Sequence, residues 1–507
     1  MRGMRALNPQ RREALHDSAA TRALEQALAA ALPPHTLMAR AGEAVARLAL
    51  ALHPHARRIW VACGPGNNGG DGLIAALHLQ RSAPAGWREI WVTHDAELTR
   101  LPADAAWALR EALAGGLTIQ HGPPDSADLV IDALLGLGAR ALAHDALAQR
   151  VHQVRGHAAP LLCVDTPSGL NPDTGQDAAG LTPRHRAPDT LSLLSLKPGL
   201  FTADGRDAAG RVWFEPLQAE AITQAACAHW GGADSRAQGK QHDPHVGHKG
   251  RYGDVAVLGG QLPGPGATGM AGAAVLAARA ALHAGAGRVY LALVGDGPAP
   301  THDPMSPELM LRTPASLFTP DSGASRVLVA GCGGGTAVRA WLPAALGSAA
   351  PMVLDADALN AIAQDAALAQ SLRERGERAA LSVLTPHPLE AARLLGTDTA
   401  TLMGDRLRHA QALADRFAAT VVLKGSGSVV AAPSQRPWIN ATGNARLATA
   451  GTSDVLAGLI GAALARSPAD ALRAVCNAVA QHGALADAWP AASSLTADVL
   501  ARAAQPV

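Results

Sequence analysis

Apolar positions in this chain fall into short unbroken runs separated by stretches in which they recur every three or four residues. In the N-terminal half the runs are "RRIWVAC", "REIWVTHD", "LTIQHG", "ADLVIDALLG", "APLLCVDTPSG", "DTLSLLSLK" and "RVWFEPL". Runs of this kind alternating with helical periods predict buried strands joined by right-handed crossovers, and so a mostly parallel sheet. After "EPLQ" the pattern dissolves into a mixture of Gly, His, Asp and Gln, which predicts a linker over 219–246 between a first domain, 1–218, and a second, 247–507. The second half restarts with "YGDVAVLGG", a small-residue helix from about Met270 to Gly285, and then "RVYLALV", "SRVLVAGCGGG", "PMVLDADAL", "LSVLTPHPLE" and "ATVVLKGSGSVVAA". It closes on the helix "AGTSDVLAGLIGAALAR". The fold class is therefore α/β in both halves, and glycines cluster where strands end, the edge at which open parallel sheets bind ligands.

Composition narrows the partners. At 507 residues the chain exceeds one ordinary core, and two large domains fit. A net charge of +1 without long Lys/Arg blocks leaves no electrostatic footprint for nucleic acid or an acidic membrane. Five cysteines, scattered singly with no C-x-x-C spacing, indicate neither a zinc site nor a disulfide framework and fit a reducing cytoplasm. The basic N-terminus lacks an apolar signal core, and no apolar segment is long enough to span a bilayer. With aromatics at only 3 %, the core must be filled by Ala, Leu and Val, and stacking platforms for nucleic acid are missing. Small molecules are the expected partners.

The stretch "CGPGNNGGDG", Cys63 to Gly72, lies between a predicted strand and a predicted helix. Glycine at such a turn permits positive φ and close approach of a ligand to the main chain, and a helix start offers N–H groups to anions. Gly64, Gly66 and Gly69 spell G-x-G-x-x-G, a weak pattern by itself. Asn67 and Asn68 add side-chain oxygens able to coordinate a hard cation or orient a sugar or amide; the bland alternative is that they tolerate a left-handed turn. Asp132 and Asp165 each end an apolar strand, which brings both carboxylates to the edge that carries the glycine turn. Taken singly, Asp132 reads equally well as a loop cap and Ser168, after Pro167, as a turn hydroxyl.

In the second half, "TPHPLE", "KGSGS" and "GTSD" follow apolar strands. Lys424 with Gly425, Ser426, Gly427 and Ser428 could wrap a phosphate, and Gly451 to Asp454 opens a helix whose positive end faces the same space. No G-x-x-x-x-G-K-[ST] occurs, which disfavours a P-loop NTPase. Asp454 could take the proton of an acceptor alcohol as it meets a phosphate, or could simply cap the helix. His387, between two prolines, could touch substrate or be an idle loop residue, and Asp357 in "LDADALN" could reach a magnesium-bound phosphate through water.

These residues resemble the bifunctional NAD(P)H-hydrate repair enzymes, an epimerase followed by an ADP-dependent dehydratase, along nearly the whole chain. The resemblance implies two three-layer α/β domains, Rossmann-like at the N-terminus and ribokinase-like at the C-terminus. In the epimerase half it implies that Asn67, Asn68, Gly69, Gly70 and Asp71, together with Gly136, Leu137, Gly138 and Asp165, bind the damaged cofactor. Asn68, Asp132 and Ser168 would coordinate K+, Asp165 would act on the substrate, and Lys197 would stand near the active site. In the dehydratase half it implies that Ala273, Gly333, His387 and Asp454 meet the substrate, with Asp454 catalytic. Lys424 to Ser428 and Ser453 would then bind ADP with Mg2+. The chain departs from the family pattern at Ser453, where a glycine is usual, at "GCGGG" (331–335) in place of a G-P-G-L-G-like run, and at Leu389.

The substrate so implied carries a hydroxyl at C6 of the nicotinamide ring, R or S, beside the ring nitrogen. Nitrogen lone-pair assistance lets a positioned acid/base such as Asp165 exchange the epimers. Hydroxide leaves poorly, so the dehydratase would first move phosphate from ADP to the S hydroxyl, giving AMP, phosphate and NAD(P)H. NAD(P)H hydrate and ADP are then the small-molecule partners, with self-association the family tendency. The rival enzyme is a ribokinase-like kinase of a vitamin-type alcohol fused to a nucleotide-binding module, which would release a stable phosphoester. A hydride-transferring dehydrogenase and a non-catalytic N-terminal module are weaker alternatives, the first because Asn67 and Asn68 crowd the glycine fingerprint, the second because Asp132, Asp165 and Ser168 are all kept.

Overall fold

The computed structural model describes residues 3–84, 86–94, 100–137, 146–180, 186–219, 222, 224–232, 248–264, 267–319 and 326–506. The chain divides into two compact units: Met1–Asn8 with Glu13–Ala228, and Pro9–Arg12 with His229–Val507.

The first unit is built on β1 (Arg5–Ala6), β2 (Arg58–Cys63), β3 (Glu89–His94), β4 (Ile119–Gln120), β5 (Leu129–Ala133), β6 (Leu161–Val164), β7 (Asp189–Leu193) and β8 (Arg211–Glu215), in the order β1-β8-β7-β6-β5-β2-β3-β4. All neighbours are parallel except β1 and β8, where Arg5 lies opposite Phe214. Alternation along β2 explains the layers. Ile59, Val61 and Cys63 enter one core and Trp60 and Ala62 the other, so both faces of the strand are covered and the run is apolar without a break. Helices α1 (Ser18–Ala31), α2 (Thr36–Leu52) and α3 (Asn67–Arg81) include the two that frame the site described below. Asp17 caps α1 through the Ala20 N–H at 2.8 Å.

The second unit follows the same plan with β9 (Ala228–Gly231), β10 (Asp254–Gly259), β11 (Arg288–Leu293), β12 (Met310–Leu311), β13 (Arg326–Ala330), β14 (Met352–Leu354), β15 (Ser382–Leu384), β16 (Thr420–Leu423), β17 (Val429–Ala431) and β18 (Trp438–Asn440). Their order is β12-β11-β10-β13-β14-β15-β16-β17-β18-β9. The sheet is parallel as far as β16, and β16-β17-β18 form an antiparallel meander. Val255 and Val257 face one core while Ala256 and Leu258 face the other, again a strand sandwiched between helices. The main helices here are α4 (Ala271–His283), α5 (Pro388–Leu395), α6 (Arg406–Phe417) and α7 (Thr452–Arg466). Alanine richness has a packing reason at α4 and α7. A methyl on Gly458 would fall 2.1 Å from the Ala277 carbonyl oxygen, so the two helices cross at backbone distance.

One strand lies inside the stretch predicted to be linker. β9 pairs in parallel with β18, His229 opposite Trp438 and Gly231 opposite Asn440. Four residues set among Gly, Asp and Gln carry too little period to announce a strand. Residues 220, 221, 223 and 233–246 of that stretch lie outside the described residues.

Candidate functional sites

In the first unit the ends of β2, β5 and β6 converge on the start of α3. Gly66 is the N-cap of α3 with extended backbone, so Asn67 and Asn68 occupy its first turn rather than a left-handed bend. The glycines serve close packing here, since none of Gly64, Gly66, Gly69 or Gly70 has positive φ. A Cβ on Gly64 would sit 1.8 Å from the Leu134 carbonyl oxygen, and one on Gly69 would sit 1.9 Å from that of Gly64. The turn is thus pressed against the end of β5. Asn68 is buried beside Gly136, and its Nδ2 has no partner among the described residues.

Asp132, at the end of β5, is wholly buried. Its Oδ1 lies 2.5 Å from the Ser168 hydroxyl and accepts the Leu134 N–H at 3.2 Å, while Oδ2 accepts the Ser168 N–H at 3.0 Å. Burial pushes its pKa up, and the Ser168 hydrogen bonds pull part of the way back. Arg155, whose charge also acts on it, is ion-paired with Asp177.

Asp165 follows β6 with φ of 64°. That left-handed conformation costs a non-glycine residue about 1–3 kcal/mol and marks positions held for a purpose. Its carboxylate accepts from the Lys197 ammonium and from the Leu193 N–H at 3.1 Å. Lys197 is wholly buried, and its Nζ also reaches the Leu193 carbonyl at 2.8 Å and the Ser192 hydroxyl at 3.4 Å. Asp165, Lys197, Asn67, Asn68, Asp71 and Glu25 line a cleft of about 420 Å³, together with Gly136 and Leu137. Burial, followed by the charge of Asp165, pushes both Glu25 and Asp71 upward. Gly138 lies outside the described residues.

In the second unit α7 begins at Thr452, after Gly451 at φ 90°. Asp454, in its first turn, is buried with the Cys332 thiol and the Asp355 carboxylate, and one donor atom from each lies within 4.8 Å of the others. Burial and the charge of Asp355 push Asp454 up to about 6, against a hydrogen bond from Cys332 and the pull of Lys424. The thiol itself is pushed well above its usual range by burial and by the two carboxylates, so it stays protonated and donates. Asp355, just after β14, accepts from the Thr385 hydroxyl at 2.8 Å and from Lys424 Nζ at 2.7 Å, and its Oδ2 is buried without a partner among the described residues. Burial pulls Lys424 down, but Asp355 and Glu390 outweigh it and the net direction is up, so the ammonium form is held.

The "KGSGS" segment is the turn of the β16–β17 hairpin, with Leu423 opposite Val429. Beneath it lies Arg406 of α6, almost fully buried, whose guanidinium donates to the carbonyls of Leu423 at 3.2 Å, Lys424 at 3.1 Å and Ser426 at 2.6 Å. His387 caps α5: its Nδ1 accepts from the Leu389 and Glu390 N–H groups at 3.1 and 3.3 Å, and its Nε2 is 3.2 Å from Glu390. Ala273 and Gly333 meet, since a Cβ on Gly333 would stand 2.7 Å from that of Ala273. Ser453, the second residue of α7, is half-buried.

Family models match both units: one described as NAD(P)H-hydrate dehydratase over residues 262–505, the other as YjeF-related protein N-terminus over residues 34–199. The bifunctional NAD(P)H-hydrate repair enzyme Nnr of Escherichia coli (strain K12) is 36 % identical over 475 residues, covering 89 % of this chain and 85 % of its own. This chain belongs to the bifunctional NAD(P)H-hydrate repair enzymes. The ADP-dependent (S)-NAD(P)H-hydrate dehydratase of Neisseria meningitidis is 39 % identical over 267 residues, covering 51 % of this chain and 86 % of its own. Among solved structures, an ADP/ATP-dependent NAD(P)H-hydrate dehydratase from Bacillus subtilis co-crystallised with ATP/Mg2+ is 26 % identical over 51 % of this chain and 90 % of its own, with a TM-score of 0.40.

Within this repair-enzyme fold, the residues singled out from sequence gather in two places. Asn67, Asn68, Asp71, Gly136, Leu137 and Asp165 share one cleft, with Asp132 and Ser168 hydrogen-bonded together. The structure gives three of these residues protein partners. Lys424 is ion-paired with Asp355. His387 spends both ring nitrogens on its own helix. Asp357 accepts the Gly335 N–H at 2.8 Å, and it is Asp355 of the same "LDADAL" that joins Asp454. Sequence reasoning missed Glu25, Arg406, Cys332 and Asp355, of which only Asp355 carried a signal: it directly follows a strand.

The donor sets fit the expected cations. The buried Asp132 carboxylate, the Ser168 hydroxyl and the carboxamide oxygen of Asn68 are oxygen donors that a weakly hydrated monovalent ion would take. The unpartnered Oδ2 of Asp355 is the hard oxygen that Mg2+ takes. Cys332, protonated, is not such a ligand.

Proposed function

We propose that the first unit interconverts the R and S forms of NAD(P)H hydrate and that the second dehydrates the S form at the expense of ADP, in the cytoplasm, where the five free cysteines stay reduced. The observation that carries the reading is Asp454: a buried carboxylate at about 6, in the first turn of α7, ringed by a protonated thiol and an Asp–Lys pair. A base poised near neutrality can accept a hydroxyl proton without being permanently protonated.

In the dehydratase step Asp454 accepts the proton of the C6 hydroxyl while its oxygen attacks the terminal phosphorus of ADP, and AMP leaves. The phosphate ester then departs from C6, pushed by the ring nitrogen, and loss of a C5 proton forms the C5=C6 bond. The first N–H groups of α7 and the Lys424–Ser428 turn hold the nucleotide phosphates. Mg2+, held through the phosphates and Asp355, would offset their charge. In the epimerase step Asp165, ion-paired with Lys197, acts on the C6 hydroxyl, and K+ held by Asn68, Asp132 and Ser168 would fix the pyrophosphate end of the substrate.

Supplying the S hydrate with ADP should restore reduced-nicotinamide absorbance with equal amounts of AMP and phosphate. Asp454→Asn should slow this by about 10²-fold or more, and Asp165→Asn should slow only R-to-S exchange. Accumulation of a stable phosphoester would replace this reading with a kinase.

A further inference from the structure

Exchange at C6 by ring opening needs two proton movements. A base removes the hydroxyl proton as the O–H pair becomes the C6=O bond, the C6–N1 pair moves to nitrogen, and an acid protonates N1. Rotation about C5–C6 and the reverse steps close the ring on the other face and return both protons. Asp165 is placed as the acceptor, ion-paired with Lys197 and accepting the Leu193 N–H. Lys197 cannot be the donor, since its three N–H bonds go to Asp165, the Leu193 carbonyl and Ser192.

On the reading that the first unit is the epimerase, we propose that Glu25 is the proton donor to the ring nitrogen. It projects from α1, half-buried, into the cleft that holds Asp165, with Asn67 lining the same cleft. Its surroundings favour the acid form. Burial acts first, the Asp165 carboxylate next, and Asp104 adds to them, while Lys197 and Asn67 oppose. Asp71 of α3 faces the same cleft with its own pKa raised. Asp104 is bound to His35 at 2.5 Å, and Arg22 of α1 is committed to the Leu137 carbonyl at 2.6 Å. A donor works while protonated, so exchange through Glu25 is present at low pH and falls as pH rises through its raised pKa.

The test uses the full chain and the pure R hydrate without ADP, following the R:S ratio by chromatography over pH. Glu25→Gln should cut kcat for exchange by about 10²-fold or more while KM for the hydrate stays within about threefold, and its residual rate should lack the high-pH fall. Dehydration of the S hydrate by the same preparation should be unchanged. Wild-type exchange in Glu25→Gln, a change confined to KM, or persistence of the high-pH fall in Glu25→Gln with its loss in Asp71→Asn would each overturn the assignment. Wild-type exchange in Asp165→Asn as well would instead remove the epimerase reading itself.

Discussion

The pairing of Cys332 with Asp454 gives the departure at "GCGGG" a chemical meaning. Where the family pattern has proline, this chain has a thiol beside the Asp454 carboxylate, the base proposed above, that holds its pKa lower than burial and Asp355 would leave it. A base must be ionised to work, so dehydratase kcat/KM should rise with pH through about 6 and level off above it. Cys332→Ala removes the donor, raises the Asp454 pKa further, and should move that rising limb to higher pH with little change in the plateau. A pH–rate profile on the S hydrate at saturating ADP checks this; an unmoved limb would mean the thiol does not donate. None of it is visible in the sequence, where Cys332 is one of five isolated cysteines and its neighbour in space lies 122 positions away.

At the scale of elements, the hairpin between β16 and β17 depends on α6. Three carbonyls of the turn are held by one guanidinium, which burial pulls down to about 10 but leaves charged at neutral pH. Lysine offers a point charge without the fork that spans three acceptors. Arg406→Lys should therefore raise KM for ADP by about tenfold or more with a smaller effect on kcat, as expected for a residue that positions the turn without touching the reacting atoms. Steady-state kinetics with varied ADP checks it, with epimerase activity as the internal control. The strands were legible because both faces of each sheet are covered and the runs are apolar throughout. The "NNGGDG" segment was legible because a strand, glycines and a helix start occur in order. Glu25 in "TRALEQAL" and Arg406 in "RLRHAQALADRF" look like ordinary solvent-facing helix residues. Only the tertiary fold puts a cleft over one and a turn over the other.

Across the whole chain, the cations proposed for the carboxylate sites of the two α/β units differ, and this makes the two activities separable by test. Asp132 has no ion-paired partner among the described residues and burial raises its pKa, so its ionised form costs the first unit stability unless a cation joins it. A cation that binds only the folded unit stabilises it by mass action. Raising K+ at constant ionic strength, with tetramethylammonium as the balance, should raise the thermal midpoint of the epimerase unit and its exchange rate together. Dehydration of the S hydrate should not respond. Asp132→Asn removes the buried charge and should abolish the K+ dependence of the midpoint, whatever it does to turnover. Chelating Mg2+ should do the opposite, stopping dehydration while R and S forms continue to exchange. A melting transition indifferent to K+ in the native chain would take the cation away from Asn68, Asp132 and Ser168 and leave their cluster as a purely structural knot at the end of β5.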